Sequence, residues 1–71
     1  MSARVATSAD RRLRDYLYAS GPSFMFKLFD AIFSADSTNL EQLARAFPDE
    51  VAAVRAYRTI PGYSDFIRSL S

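Results

Sequence analysis

One segment limits what this chain can fold into, because residues 24–33 place seven large apolar side chains in ten positions. At about 100° per residue in an α-helix, the polar residues of this segment and its flanks collapse into one narrow wedge, which leaves an apolar arc roughly 200° wide. A core-facing stripe on a surface helix needs only about half of that arc. The segment therefore predicts a helix that neighbours touch on two sides, or that keeps part of its arc for another chain.

The length of the same segment excludes a membrane span. A spanning helix needs about 20 apolar residues, whereas this run has ten positions and includes Lys27 and Asp30. The first 20 residues also lack the continuous apolar region of a secretory signal. We therefore expect a cytoplasmic protein with no membrane partner.

Size and composition exclude several classes of function. The chain has 71 residues, neither Cys nor His, and a net charge of +1. Disulfides, zinc sites, thiolate chemistry and imidazole catalysis are therefore excluded, and no strong overall charge draws the protein to nucleic acid. A domain of this size buries only roughly 60 % of its unfolded surface. We expect hydrophobic packing, with or without the help of oligomerisation, to hold the fold together.

The pattern along the chain is helical throughout. No stretch alternates apolar and polar residues with a period of two, so we predict no strands. The predicted helices run from about Ala9 to Ser20, from Ser23 to Ala35, from an N-cap at Thr38 to a corner at Phe47, from Pro48 to Thr59, and over a short terminal segment, 64–71. The sequence predicts an all-α, compact single-domain bundle of four to five short helices over residues 1–71, with residues 1–7 frayed.

Local signals mark where these helices begin and end. The predicted N-caps are Thr7 or Ser8, Thr38 and Ser64. Thr38 and Glu41 have the spacing of a capping box, and Glu41 and Arg45 have that of an i,i+4 ion pair. Pro61 and Gly62 fit the two central positions of a type II turn before the last helix.

The acidic residues do not form a pattern typical of catalysis. Most of them lie at predicted helix starts, where capping and the helix dipole explain them. Asp49 and Glu50 are adjacent, so they point about 100° apart and cannot converge as a general acid and base. With two glycines in the chain, a phosphate-binding loop is implausible. We predict that the protein is not an enzyme and has no catalytic, cofactor-binding or metal-binding residues.

The fourth predicted helix carries two charges on its apolar face. Glu50 and Arg58 project into the same arc as its Val residues, and burying either charge unpaired costs several kcal/mol. One interpretation places Arg58 at the edge of the face, with its charge reaching water, and assigns Glu50 to the helix N-terminus. The other interpretation is an ion pair within a protein–protein contact.

The Phe-rich helix offers a candidate binding surface. Phe26 and Phe33 are seven residues apart and lie at one edge of its apolar arc, where we expect partial exposure. Exposed aromatic patches typically mark partner sites. We predict a partner-binding surface at Phe26 and Phe33, with Arg55 and Arg58 as a second face. The alternative is that the first and last helices cover both rings.

A basic face on the first helix suggests a nucleic-acid site as an alternative. Opposite or beside the apolar stripe lie Arg11, Arg12, Arg14 and Tyr18, which could grip phosphate and stack a base. Asp10 and Asp15 neutralise much of this face. Electrostatic attraction to phosphates dominates the affinity of proteins for nucleic acid, and a chain with a net charge near zero lacks most of it. We therefore rank nucleic acid below a protein partner.

Residues 28–63, "LFDAIFSADSTNLEQLARAFPDEVAAVRAYRTIPGY", resemble short proteins encoded by phages and prophages. The matching positions are Leu28, Phe29, Ala31, Ile32, Ala35, Asp36, Asn39, Leu40, Phe47, Pro48, Val51, Tyr57, Gly62 and Tyr63. They are mainly core, cap and turn positions over about half of the chain. The resemblance implies an accessory protein of a mobile element in a bacterial cell and implies no mechanism.

The residues and the resemblance together predict a small non-enzymatic protein that binds and modulates another protein, in the phage context a host protein machine. Steric docking through aromatic and Arg side chains is the expected mechanism. A self-assembling structural subunit is the remaining alternative, with the Phe-rich arc buried in a homodimer across a two-fold axis.

Overall fold

The computed structural model describes residues 5–19 and 24–70. Within these ranges the chain forms helices and no strand, which confirms the all-α fold. The helices are α1 (Ser8–Tyr18), α2 (Phe24–Ser34), α3 (Ser37–Ala46), α4 (Pro48–Thr59) and α5 (Tyr63–Arg68). None of these described helices is long and apolar enough to cross a membrane.

The core forms where α1, α2, α4 and α5 meet. Its buried apolar side chains are Ala9, Leu13, Leu28, Phe29, Ile32, Val51, Ala53, Val54, Tyr63 and Ile67. The Phe-rich helix α2 contacts both α1 and α4, so the prediction that neighbours touch it on two sides is confirmed. Helix α3 has no buried residue and packs mainly against α4.

The start of α1 is fixed by a reciprocal pair of hydrogen bonds. Thr7 is the N-cap, as predicted, and its hydroxyl oxygen accepts the Asp10 backbone N–H at 3.0 Å. The Asp10 carboxylate in turn accepts the Thr7 backbone N–H at 3.0 Å. Thr7, the last residue of the segment predicted to fray, thus takes part in a capping box; residues 1–4 lie outside the described ranges.

The start of α3 differs from the prediction. Asp36, rather than Thr38, is the N-cap, and its carboxylate accepts the Asn39 backbone N–H at 2.8 Å. A carboxylate both caps the helix and meets the positive end of its dipole, and the helix consequently begins one residue before Thr38. Glu41 and Arg45 are both exposed and form no ion pair.

Pro and Gly positions set the remaining helix ends. Helix α4 begins with Pro48 in its first turn and spans the predicted residues. Gly62 has φ 81° and ψ −5°, and the Tyr63 N–H donates to the Ile60 carbonyl at 3.1 Å, as a type II turn requires. The prediction of Ser64 as a cap was wrong, because Gly62 serves as the N-cap and its carbonyl accepts the Phe66 N–H at 3.1 Å.

Polar side chains of α1 reach a different element at nearly every turn. The Asp10 carboxylate is only 2 % exposed and accepts the Tyr63 hydroxyl of α5 at 2.6 Å. Further along, Arg12 pairs with α4, Arg14 donates to a carbonyl after α5, and Tyr16 donates to α2. Helix α1 is thus the element to which α2, α4 and α5 are tied by directional bonds.

The Asp10–Tyr63 contact makes a testable contribution to stability. We expect Tyr63→Phe to lower the free energy of unfolding by about 1–3 kcal/mol, because it leaves a buried carboxylate one hydrogen bond short. Urea denaturation followed by circular dichroism measures this change. The matched control is Tyr18→Phe, which removes an exposed hydroxyl and should change stability by less than about 0.5 kcal/mol. Equal losses in both variants would contradict the role assigned to Tyr63.

Candidate functional site

Four half-buried aromatic rings form a continuous surface above the fully buried Phe29. Tyr16 of α1 lies between the two rings at the edge of α2, with ring centroids 5.6 Å from Phe26 and 5.8 Å from Phe33. Tyr57 of α4 meets Phe33 edge-on at 6.1 Å. Tyr16 also contacts Phe29 beneath at 5.6 Å. We call Tyr16, Phe26, Phe33 and Tyr57 the aromatic patch.

Arg58 joins the patch to the end of α2. Its Nη2 donates to the Phe33 carbonyl at 2.5 Å, and its Cζ lies 5.1 Å from the centroid of the Phe33 ring. Phe33 lies in the last turn of α2, where carbonyls lack helical partners and a positive charge is favourable. The contact with the ring is a cation–π interaction. Arg58 is therefore held in a defined orientation although it is exposed.

The hydroxyl of Tyr16 is also held. It donates to the Asp30 carboxylate, one turn from Phe26 and Phe33 on α2. This hydrogen bond, followed by burial and the negative charge of Asp30, raises the pKa of Tyr16 above its ordinary value of 10.0. The patch is thus fixed by polar contacts at Tyr16 and at Arg58.

The structure brings most of the predicted partner-binding residues together. Phe26 and Phe33 are half-buried, and the cover over Phe33 comes from α1 and α4. Arg58 lies over Phe33, so the two predicted faces meet there. Arg55 is exposed one turn before Arg58, and its side chain makes no hydrogen bond or ion pair with any described residue.

Sequence reasoning missed two members of the patch. By helical spacing Tyr16 shares the apolar stripe of α1 with Leu13, and Tyr57 shares that of α4 with Val54, but both are half-buried at the border of the core. The hydroxyl groups of both residues could have indicated a position at the border of the core, since a Tyr in a small core usually reaches a polar partner or solvent. Phe24 was also missed as an exposed ring; it is 61 % exposed and contacts Phe47 at 5.7 Å.

Glu50 lies in the first turn of α4, as the first interpretation of Glu50 and Arg58 proposed, but neither interpretation anticipated its partner. Its carboxylate is 6 % exposed and pairs with Arg12 of the same chain at 2.7 Å. Glu50 therefore contributes to packing between α4 and α1, not to an external contact. Arg58 lies at the exposed edge of α4, as the first interpretation proposed.

The basic face of α1 is largely occupied by contacts within the chain. Arg12 pairs with Glu50. Arg14 donates to the Asp15 carboxylate from Nε at 3.0 Å and from Nη2 at 2.7 Å, and from Nη1 to the Leu70 carbonyl at 2.6 Å. Arg11 and Tyr18 remain exposed. The four residues thus present one guanidinium that is not committed to another part of the fold.

Two open grooves lie away from the aromatic patch. One of about 420 Å³ separates α2 from α3 and is lined by Ala31, Ser34, Ala35, Asn39, Gln42 and Leu43. The other, of about 360 Å³, follows Ala52, Ala53 and Ala56 of α4 toward the Asp10–Tyr63 pair. Over residues 5–19 and 24–70, no group of three acidic side chains is placed to hold a metal ion.

Comparisons with known proteins identify no relative: no family model and no curated protein matches the sequence, and no solved structure matches the fold. The resemblance of residues 28–63 to phage-encoded proteins therefore stays a prediction. The function is argued from the geometry of this chain.

The Arg12–Glu50 pair predicts that Arg12 contributes to stability, whereas its exposed neighbour Arg11 does not. We expect Arg12→Ala to lower the free energy of unfolding by about 1–3 kcal/mol, because Glu50 stays buried without its partner. Arg11→Ala, the matched control, should cost less than about 0.5 kcal/mol. Adding Glu50→Gln to Arg12→Ala should recover part of the loss. Urea denaturation of the four proteins checks this, and equal effects of the two single substitutions would contradict it.

The Tyr16–Asp30 contact predicts a loss of stability in alkali. A raised pKa means that the folded state favours the neutral phenol of Tyr16. The stability that the Tyr16–Asp30 contact contributes is therefore fully present below the ordinary pKa of Tyr and is lost as pH rises through the raised pKa of Tyr16 in the folded state. We expect the stability advantage of the wild type over Tyr16→Phe to be constant from neutral pH to about pH 9 and to shrink above about pH 10. Urea denaturation of both proteins across this range measures the difference. An advantage that does not change with pH would refute the assignment.

Proposed function

We propose that this protein is a small non-enzymatic module that binds a protein partner through the aromatic patch, with Arg55 and Arg58 at its rim. The observation that carries the proposal is Arg58 held over a half-exposed Phe33. Aromatic residues and Arg are the types most enriched at the energetic centres of protein interfaces. Here they come from three helices and form one surface.

The fixed geometry of the patch favours binding. The Tyr16 hydroxyl is held by Asp30, and the Arg58 guanidinium is held by the Phe33 carbonyl. Side chains that are already ordered lose less rotamer entropy when a partner docks. A 71-residue chain with little room for a catalytic pocket can therefore still present an effective steric surface.

The resemblance of residues 28–63 supports a phage or prophage context for this binding. In that context the partner is a protein machine of the host cell, and the protein acts in the bacterial cytoplasm as an inhibitor or modulator. The mechanism would be occlusion or redirection of the partner by docking.

Paired substitutions inside and outside the patch test the proposal. Affinity pull-down from bacterial lysate is performed with the wild type, with Phe26→Ala and Arg58→Gln in the patch, and with Phe24→Ala and Arg45→Gln as matched controls outside it. We expect the captured protein, after purification, to bind each patch variant at least about tenfold more weakly and each control unchanged. Circular dichroism melts confirm that all variants fold.

Three outcomes would overturn the proposal. The first is a captured partner that binds patch variants and controls equally. The second is a salt-sensitive complex with DNA or RNA that is lost in Arg11→Ala, which would favour the nucleic-acid alternative. The third is a wild type that sediments as a dimer while Phe26→Ala is a monomer, which would favour self-assembly.

A further inference from the structure

The two arginines at the rim of the patch have no acidic partner within the described chain. Arg55 and Arg58 are three residues apart on α4, so they are neighbours on one edge of the helix, and both are exposed. The ion pairs of the described residues are Arg12–Glu50, Arg14–Asp15 and Arg68–Asp65. The rim therefore presents two guanidiniums that form no salt bridge with any acidic side chain of residues 5–19 and 24–70.

Most of the hydrogen-bonding capacity of these two side chains is unused. A guanidinium has five N–H donors, and toward the described residues Arg58 donates only from Nη2, to the Phe33 carbonyl. That contact and the Phe33 ring fix the direction of the remaining donors. An oriented guanidinium is well suited to a carboxylate, which it can bind through two parallel hydrogen bonds.

The acidic side chains of α4 and α2 contact other groups or lie on other faces, and none pairs with Arg55 or Arg58 among the described residues. Glu50 is buried against Arg12, and Asp49 lines the groove on the Ala-rich side of α4. Asp30 accepts the Tyr16 hydroxyl on the α2 side of the patch. Asp36, three residues after Phe33, accepts the Asn39 N–H as the cap of α3. Arg55 and Arg58 therefore form no ion pair with a described residue, and such charges favour partners of opposite charge.

The side chains packed against the Phe33 ring make a protein segment a better ligand for this surface than a nucleic acid. Tyr16 lies nearly parallel to Phe33, at 15°, and the Arg58 guanidinium lies over the same ring. A stacked base needs a free aromatic face, whereas an apolar side chain can pack against ring edges. The accessible parts of the patch therefore suit an apolar side chain next to carboxylates.

We propose that the partner contacts this surface with an acidic segment, in which two carboxylates about one helical turn apart bind Arg55 and Arg58 and an adjacent apolar side chain packs on Phe26 and Phe33. This inference rests on the proposed protein-binding function and adds the chemistry of the partner. The apolar contact supplies affinity, and the carboxylates fix the orientation of the docked segment.

A selection with a random library of linear peptides, on the immobilised full chain, tests this chemistry. We expect the recovered peptides to be enriched in pairs of Asp or Glu beside Leu or Phe. Synthetic copies should bind Arg55→Gln/Arg58→Gln at least about tenfold more weakly, and raising the salt from about 50 mM to about 500 mM should weaken them similarly. The control Arg11→Gln/Arg45→Gln removes the same charge elsewhere and should bind like the wild type.

The possible failures are distinguishable. Peptides without acidic enrichment that bind Phe26→Ala weakly but Arg55→Gln/Arg58→Gln normally would overturn the acidic segment and leave the protein-binding surface standing. Peptides that bind all variants equally, or a selection that recovers none, would overturn the inference. A labelled random oligonucleotide that requires Arg55 and Arg58 and outcompetes the acidic peptides would overturn both proposals.

Discussion

The buried carboxylate of Asp10 is the constraint on which the arrangement of helices depends. Removing a charged group from water costs several kcal/mol unless hydrogen bonds replace the solvent. Asp10 meets this condition with the Thr7 backbone N–H and the Tyr63 hydroxyl. Both bonds exist only when Thr7 caps α1 and α5 packs against the first turn of α1. In a chain without disulfides, this carboxylate helps to select one arrangement among those that bury a similar apolar area.

Once α1 is fixed in this way, its later turns determine the position of the aromatic patch. Arg12 ties α1 to α4 through Glu50, and Tyr16 is then placed on the edge of α2. The ring of Tyr16 covers enough of Phe26 and Phe33 to hold them and leaves both half-exposed. The candidate site is therefore a consequence of how α1 is anchored, although most of its rings come from other helices.

Local signals in the sequence were sufficient for the helical fold and for several helix ends, because a Pro at the start of α4 and a Gly at positive φ act within a few residues. They were insufficient at α3, where Asp36 and Thr38 are both competent caps two residues apart. The partner of Glu50 lies 38 residues away, so no local pattern could identify it. The partial exposure of Phe26 and Phe33 was predictable from the width of the apolar arc, whereas the position of Tyr16 was not, because helical spacing places Tyr16 on the apolar stripe of α1.

The apolar arc of α2 is wider than the neighbouring helices cover, and as a result Phe26 and Phe33 stay partly exposed in the aromatic patch. Leu28, Phe29 and Ile32 are buried, Phe26 and Phe33 are half-buried, and Phe24 is exposed. Arg58 stabilises the end of α2 and the exposed ring of Phe33 with a single side chain. Because the same contact serves stability and presentation, the acidic segment proposed above would pair with a group that the fold already orients. The binding energy of the proposed complex would then depend mainly on desolvating the rings and on matching the guanidiniums of Arg55 and Arg58, not on ordering the surface.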